Sequence, residues 1–169
     1  DLYMHLIGAI TAQQLSTKAA DSILERFLAL FGDRRPEPQE ALSTSVESLR
    51  DVGLSGPKAR YLHGIARAIV DNDIDLESAA LLENESFIGE ITRLKGVGRW
   101  TAEMLLIASL RRPDVFSVGD LGLRAAVSHY YGVDREDYTA IVDTAKRWSP
   151  FRSLACHYLW ESLRNKPSV

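Results

Sequence analysis

Apolar residues recur at three- and four-residue spacing through most of the chain. The pattern runs through Leu2–Gln13, Ser16–Phe31, Lys58–Val70, Ser86–Leu94, Trp100–Leu110, Leu121–Tyr131, Tyr138–Trp148 and Phe151–Leu163. That period belongs to helices with one buried face. Shorter helical pieces are predicted over Pro38–Leu42, Val46–Asp51 and Leu76–Leu82. No stretch alternates with period two, and no hairpin dipeptide separates β-rich runs. The boundary residues agree with this map. Ser16 precedes an apolar-periodic run as an N-cap would, Gly32 follows Phe31 as a helix-ending glycine would, and Pro57 stands at a first helical position. Arg34–Pro38 reads as a loop. Many short helices with short links predict a compact all-α, multi-helix domain.

Composition narrows the picture. Hydrophobic residues are 46% of the 169, enough for a sizeable core and too many for wholesale disorder. No apolar run approaches the roughly 20 residues of a membrane span, and no signal peptide is visible, so no membrane association is expected. The single cysteine, Cys156, excludes an intrachain disulfide and a Cys-ligated zinc or iron–sulfur site. A reducing compartment is expected. The chain opens on Asp1 rather than Met, and residues before it are expected in the natural protein.

The net charge of −3 changes the picture less than its distribution. Between Arg93 and Arg124 six basic residues (Arg93, Lys95, Arg99, Arg111, Arg112, Arg124) face three acidic ones (Glu103, Asp114, Asp120). A positive face on an acidic body and a scatter of solvated charges both fit these numbers.

Candidate chemistry concentrates in Leu94-Lys95-Gly96-Val97-Gly98-Arg99-Trp100-Thr101. One helical pattern ends before it and another begins inside it. Glycine permits positive φ and close backbone approach, and Val97 can turn inward to pin the two helices. N–H groups around the glycines then project from a helix N-terminus, which makes an anion site. A phosphate fits there without any base being read. The contacting set is Gly96, Val97, Gly98, Arg99 and Thr101. The competing reading is a tight interhelical turn with no ligand. Further on, Val115-Phe116-Ser117-Val118-Gly119-Asp120 leads into an apolar-periodic helix, so Asp120 can be a plain N-cap, a functional carboxylate, or both.

The double-glycine turn, with Asp120 about two dozen residues after its first glycine, resembles the helix-hairpin-helix and catalytic aspartate of the HhH-GPD superfamily of DNA glycosylases. Trp148-Ser149-Pro150-Phe151-Arg152-Ser153 and Ala12-Gln13-Gln14-Leu15-Ser16 look like its alkylation-repair branch, the AlkA-type 3-methyladenine DNA glycosylases. The resemblance runs from about Leu2 to about Leu163. It implies one HhH-GPD glycosylase domain over residues 1–169, with the helix-hairpin-helix at about 86–111 and two helical lobes flanking a base-binding cleft. The extra N-terminal domain of the bacterial AlkA type is absent from this chain.

The resemblance also implies roles. Asp120 would be the catalytic carboxylate, stabilising positive charge on the deoxyribose as the base leaves. Relatives that also cut the strand carry a Schiff-base lysine where this chain has Trp100, so hydrolysis without lyase activity is expected. A flipped base leaves a gap, and Gln14 sits at the intercalating position; the rival reading is that Gln13 and Gln14 merely end a helix. Leu54, Ser55, Gly56 and Lys58 form a candidate second DNA loop. The base pocket would hold Trp100, then Phe151, which stands where the AlkA type has tryptophan, and Met104, where some relatives have tyrosine. An aromatic face attracts a cationic base. Trp148, Tyr158 and Trp160 are expected in the core. The four histidines show no metal-ligand spacing.

No cofactor is expected for the chemistry, though a monovalent or divalent cation on the carbonyls of Thr92, Leu94 and Val97 follows from the family. The expected protein is a monomer acting on duplex DNA with alkylated bases. Its place would be the cytoplasm and nucleoid of a prokaryote or the nucleus of a eukaryote. The alternative is a catalytically silent homologue that binds abasic or distorted DNA.

Overall fold

The computed structural model describes residues 1–164, which form helices and connecting loops with no strand among them. In order these are α1 (Leu2–Ala12), α2 (Thr17–Ala29), α3 (Pro38–Ser43), α4 (Val46–Asp51), α5 (Gly56–Val70), α6 (Leu76–Leu81) and α7 (Asn84–Ile91). Then follow α8 (Arg99–Met104), a π-helical segment (Leu105–Ser109), α9 (Leu121–Tyr131), α10 (Tyr138–Lys146) and α11 (Arg152–Arg164). Side-chain caps explain where many of them start. Ser16, Ser45 and Asp137 each accept a backbone N–H from the third residue onward, and Asp75 accepts two. Glu37 and Glu40 close a reciprocal capping box around Pro38, satisfying donors that a helix start leaves orphaned.

Two compact units divide the chain, Asp1–Ala102 and the part from Glu103 onward. In the first, α1 packs on α2 and α5, α3 and α4 pack on α5, and α6 packs on α7. Leu6, Ile7, Ile10, Phe27, Leu49, Leu62, Ile65, Phe87 and Ile91 are fully buried there. These are the apolar faces that the three- and four-residue spacing marked. In the second unit α9 packs on α10 and α11 around Leu123, Val127, Ile141 and Cys156. Burial pushes the Cys156 thiol up to about 12, so it stays an inert, protonated core side chain.

The periodic run Trp100–Leu110 does not continue as a single α-helix. It widens into a π turn in which Leu110 N–H donates to the Leu105 carbonyl at 2.9 Å. The Arg112 N–H closes on the Leu106 carbonyl at 2.9 Å, with Arg111 in the left-handed region at φ 53°. Hydrophobic spacing cannot distinguish 3.6 from slightly more residues per turn over so short a stretch. Single π turns inside helices frequently mark functional segments.

The irregular stretch from Pro113 to Ser117 is fastened to the start of α11. Ser153 N–H donates to the Pro113 carbonyl at 3.0 Å, and Val115 N–H donates to Ser153 Oγ at 3.0 Å. Arg152 Nε reaches Asp114 Oδ1 at 2.6 Å while its Nη2 reaches Oδ2 at 3.0 Å, and Ser149 Oγ donates to Oδ2 at 2.8 Å. This is a bidentate, charge-assisted clamp. The Arg152 guanidinium first, then the Ser149 hydroxyl and the Arg152 N–H, hold the Asp114 carboxyl down at about 2 against partial burial.

Because that value lies below the ordinary one for aspartate, the clamp's stabilisation is complete above the unfolded-state pKa and is lost as pH falls toward about 2. Solvent screens a pair that is about a third exposed. Asp114→Asn should therefore destabilise the protein by about 1–2 kcal/mol at pH 7. In urea unfolding, the gap between wild type and variant should shrink steadily below about pH 4.

A candidate nucleic-acid interface and a capped carboxylate

In the first unit, the turn between α7 and α8 divides labour between its glycines. Gly96 takes φ 94°. A Cβ there would lie 2.4 Å from Cδ2 of Tyr61, inside the ring's contact radius, so Tyr61 packs where only glycine leaves room. Gly98 keeps ordinary φ, and its carbonyl accepts the Ala102 N–H at 3.0 Å to start α8. A Cβ on Gly98 would meet open space. Val97 is buried, as the inward-pinning role requires, but its N–H is engaged by the Leu94 carbonyl at 3.0 Å. Val97 therefore shapes the turn and does not donate outward. Thr101 is also buried, which removes its side chain from the expected phosphate-contacting set. Arg99 is exposed and forks onto Glu85, Nη1 to Oε2 at 3.0 Å and Nη2 to Oε1 at 2.6 Å. Such an exposed pair is worth little, so a phosphate can compete for the arginine.

Gln14, at the end of α1, is exposed and sits in the left-handed region at φ 57°. Its neighbour Gln13 turns back, and Nε2 donates to the Gly96 carbonyl at 3.0 Å. Lys58 Nζ donates to the carbonyls of Thr11 at 2.8 Å and Gln13 at 2.5 Å. The ammonium of Lys58 thus neutralises the carbonyl end of α1, a structural task that the expectation of a second DNA loop did not foresee. Leu54 is buried. Ser55 and Gly56, at the start of α5, border a shallow depression with Glu47, Arg50 and Asp51, whose charge is mixed rather than basic.

Hard cations accept carbonyl oxygens. Thr92, Leu94 and Val97 all lie on the turn after α7. The Leu94 carbonyl, which accepts the Val97 N–H, keeps a second lone pair, and Gln13 occupies a different carbonyl. Among the described residues no group of three or more His, Cys, Asp or Glu could hold a metal.

In the second unit, Asp120 is the N-cap of α9. Its Oδ1 accepts Leu123 N–H at 2.8 Å and the indole Nε1–H of Trp160 at 3.1 Å. One backbone N–H and one indole N–H fix the carboxylate at the start of α9. Gly122 gives it room, since a Cβ there would sit 3.1 Å from Oδ1 and 3.5 Å from the Trp160 ring. The approach to Asp120 is fixed as well: Ser117, fully buried, donates its hydroxyl to Glu103 Oε2 at 2.5 Å, and Asp120 N–H donates to the Ser117 carbonyl at 3.2 Å. Asp120 is therefore an N-cap whose carboxylate also holds an indole N–H.

The model of the HhH-GPD superfamily base excision DNA repair proteins matches residues 7–150. This chain belongs to the HhH-GPD superfamily. DNA-3-methyladenine glycosylase 1 of Schizosaccharomyces pombe is 36% identical over 95% of this chain and 72% of its own length. Among solved structures, a DNA-3-methyladenine glycosidase from Bacillus halodurans superposes with TM-score 0.87 at 34% identity, covering 96% of this chain and 75% of that one. The S. pombe 3-methyladenine DNA glycosylase Mag1, in complex with abasic DNA, gives 0.87 at 34% identity over 99% and 83%. These relatives set the chain in the alkylation-repair branch.

Within this HhH-GPD chain the aromatic side chains expected in the core depart from that placement, and those expected in the base pocket are partly open. Trp100 is 44% exposed and Phe151 59% exposed, while Met104 is half-buried. Tyr158, expected in the core, is 70% exposed, because it lies on the outer face of α11. Trp148 is half-buried between Phe116 and Tyr131, with ring centroids at 5.8 and 5.7 Å. Trp160, also assigned to the core, instead holds Asp120 by its indole N–H, and the Glu103–Ser117 pair escaped sequence reasoning altogether. Their signals were present but ambiguous. A tryptophan on a mostly apolar helix face reads as packing, and a glutamate beside an alanine reads as solvated.

Two outcomes follow from this geometry. Trp160→Phe keeps the ring but removes a hydrogen bond to a charged group, so any Asp120-dependent rate should fall about tenfold while thermal stability changes little. Gly96→Ala forces a Cβ into the Tyr61 ring at a positive φ. It should weaken duplex binding about tenfold or more in a fluorescence anisotropy titration and lower the melting temperature.

Proposed function

We propose that this domain is a monofunctional DNA glycosylase that removes alkylated purines from duplex DNA, with Asp120 as the catalytic carboxylate. The observation that carries this reading is the Asp120 side chain, fixed at the start of α9 by Leu123 N–H and Trp160 Nε1–H. Family membership adds the reaction class, and the names of the relatives add the lesion class.

The turn around Gly98 and Arg99 grips a phosphate, using backbone donors and one exchangeable guanidinium. Gln14 enters the stack as the target nucleotide swings out. A cation held by the carbonyls of Thr92, Leu94 and Val97 would supply positive charge against the phosphate. Trp100, Phe151 and Met104 offer apolar and aromatic surface for a cationic base. An alkylated purine such as 3-methyladenine carries positive charge and leaves with the glycosidic electron pair, so no strong general acid is needed. Positive charge develops on the sugar and the Asp120 carboxylate stabilises it. Asp120 also orients the attacking water and accepts its proton. With tryptophan at position 100 no amine attacks the sugar, and the product is an intact abasic site. The mechanism suits cationic bases such as 3-methyladenine and 7-methylguanine, the neutral ethenoadenine and hypoxanthine being the further lesions to test, and the enzyme acts as a monomer in this proposal.

Incubation with single-lesion duplexes, with freed bases identified by mass, tests the reading. Wild type should release 3-methyladenine. Asp120→Asn should lose at least about a hundredfold in rate, as removal of a key electrostatic group does, while binding abasic-analogue DNA within about threefold of wild type. Borohydride should trap no covalent adduct. Equal release by wild type and Asp120→Asn would refute the assignment.

A further inference from the structure

Gln13 has no role in the proposed chemistry, yet its side chain makes the bond that joins the turn after α1 to the hairpin. We propose that Gln13 is a positioning residue that locks the Gln14 wedge to the phosphate-gripping turn, with Lys58 as a second strut. The inference rests on the proposed reading only in taking Gln14 as the inserted side chain.

Three segments of the first unit converge on one hydrogen-bonded junction. Gln13 Nε2 donates to the carbonyl of Gly96, the hairpin residue whose φ of 94° and contact with Tyr61 leave it no freedom to move. Lys58, one turn into α5, holds the backbone on the other side through the Thr11 and Gln13 carbonyls. Beyond the turn, Ser16 caps α2 by accepting the Ala19 N–H at 3.3 Å. Backbone is therefore pinned immediately before and shortly after Gln14, and Gln14 and Leu15 are left projecting, both exposed.

A residue that fills a gap in a base stack must resist the stack's tendency to close. A flexible turn would lose conformational freedom at that moment, whereas a turn already fixed has little left to lose. Gln14 is moreover held in a left-handed conformation that a non-glycine residue adopts only under restraint. Tying that turn to the hairpin means that a phosphate seated on the hairpin sets the depth and direction of the wedge. The half-buried Gln13 amide would gain nothing from pointing inward if α1 merely ended there, because solvent would serve it equally well.

The test separates grip from insertion, using the whole domain. A duplex carries an abasic analogue with 2-aminopurine opposite it, and protein is added to saturation. Wild type should raise the 2-aminopurine fluorescence as Gln14 disturbs the stack. Gln13→Met, which keeps length and loses the donor, should bind the same duplex within about threefold of wild type. The ratio of inserted to uninserted states read from its saturated fluorescence gain should drop about fivefold, the equivalent of one neutral hydrogen bond. Lys58→Met should act in the same direction, which guards against a local folding failure of either variant; circular dichroism melts confirm that each is folded. Unchanged fluorescence gain in both folded variants overturns the inference, as does a loss wholly accounted for by weaker binding, or a wild type that raises no fluorescence. A wild type that raises fluorescence but frees no base refutes the enzymatic reading alone and leaves the positioning role standing.

Discussion

Fastening of the Pro113–Ser117 stretch to the start of α11 is the constraint on which the second unit depends. An irregular segment of this length has no ladder of its own, and its polar groups must be met from outside. Arg152 and Ser153 meet them from one side, and Glu103 meets Ser117 from the other. Three residues later the chain begins α9 with Asp120 as its cap. The carboxylate is thus held by the same logic that starts any helix, and Trp160 supplies the one bond that a cap alone does not need. An aspartate placed this way costs the fold little, because it satisfies an orphan donor that some residue had to satisfy.

The first unit shows how an acidic chain can still hold a nucleic acid. Several of its charged groups are engaged with one another or with helix ends. Arg99 forks onto Glu85, Arg93 pairs with Glu90, and Lys58 caps carbonyls. A basic footprint is one route to phosphate binding, but a turn of fixed backbone shape with a helix start behind it is another, and it is independent of net charge. The mixed-charge surface around Glu47, Arg50 and Asp51 belongs to the same pattern, in which local pairs mute the long-range field.

Much of this was legible in the sequence, for identifiable reasons. Helices emerged because the buried faces keep their period, as Leu6, Ile10, Leu62 and Ile65 show. The double-glycine turn and Asp120 emerged because their residue types are constrained by backbone conformation and capping. The roles hidden from the sequence are those set by long-range side-chain reach. Gln13 meets Gly96 across 83 positions and Trp160 meets Asp120 across 40, and nothing in local spacing encodes such a partner. The π turn was hidden for a different reason: one extra residue per turn over Leu105–Ser109 leaves the apolar faces almost unchanged. The structural role of Lys58, placed by the sequence in a candidate DNA loop, depends on carbonyls 45 and 47 positions away.

The two kinds of bond also differ in what they protect. Hydrogen bonds near in sequence, such as the caps, reform whenever their helix does, so they define elements. The long-range ones are made only after elements dock, and they fix relations between segments that local structure leaves adjustable. Among the described residues, long-range bonds join the hairpin to the turn after α1 and fasten the approach to Asp120. These are the segments on which the proposed phosphate grip, inserted side chain and carboxylate depend, where a displacement of about 1 Å would be expensive. Phe151, just before α11, and Tyr158 on its outer face are exposed and are correspondingly less constrained in what they contact.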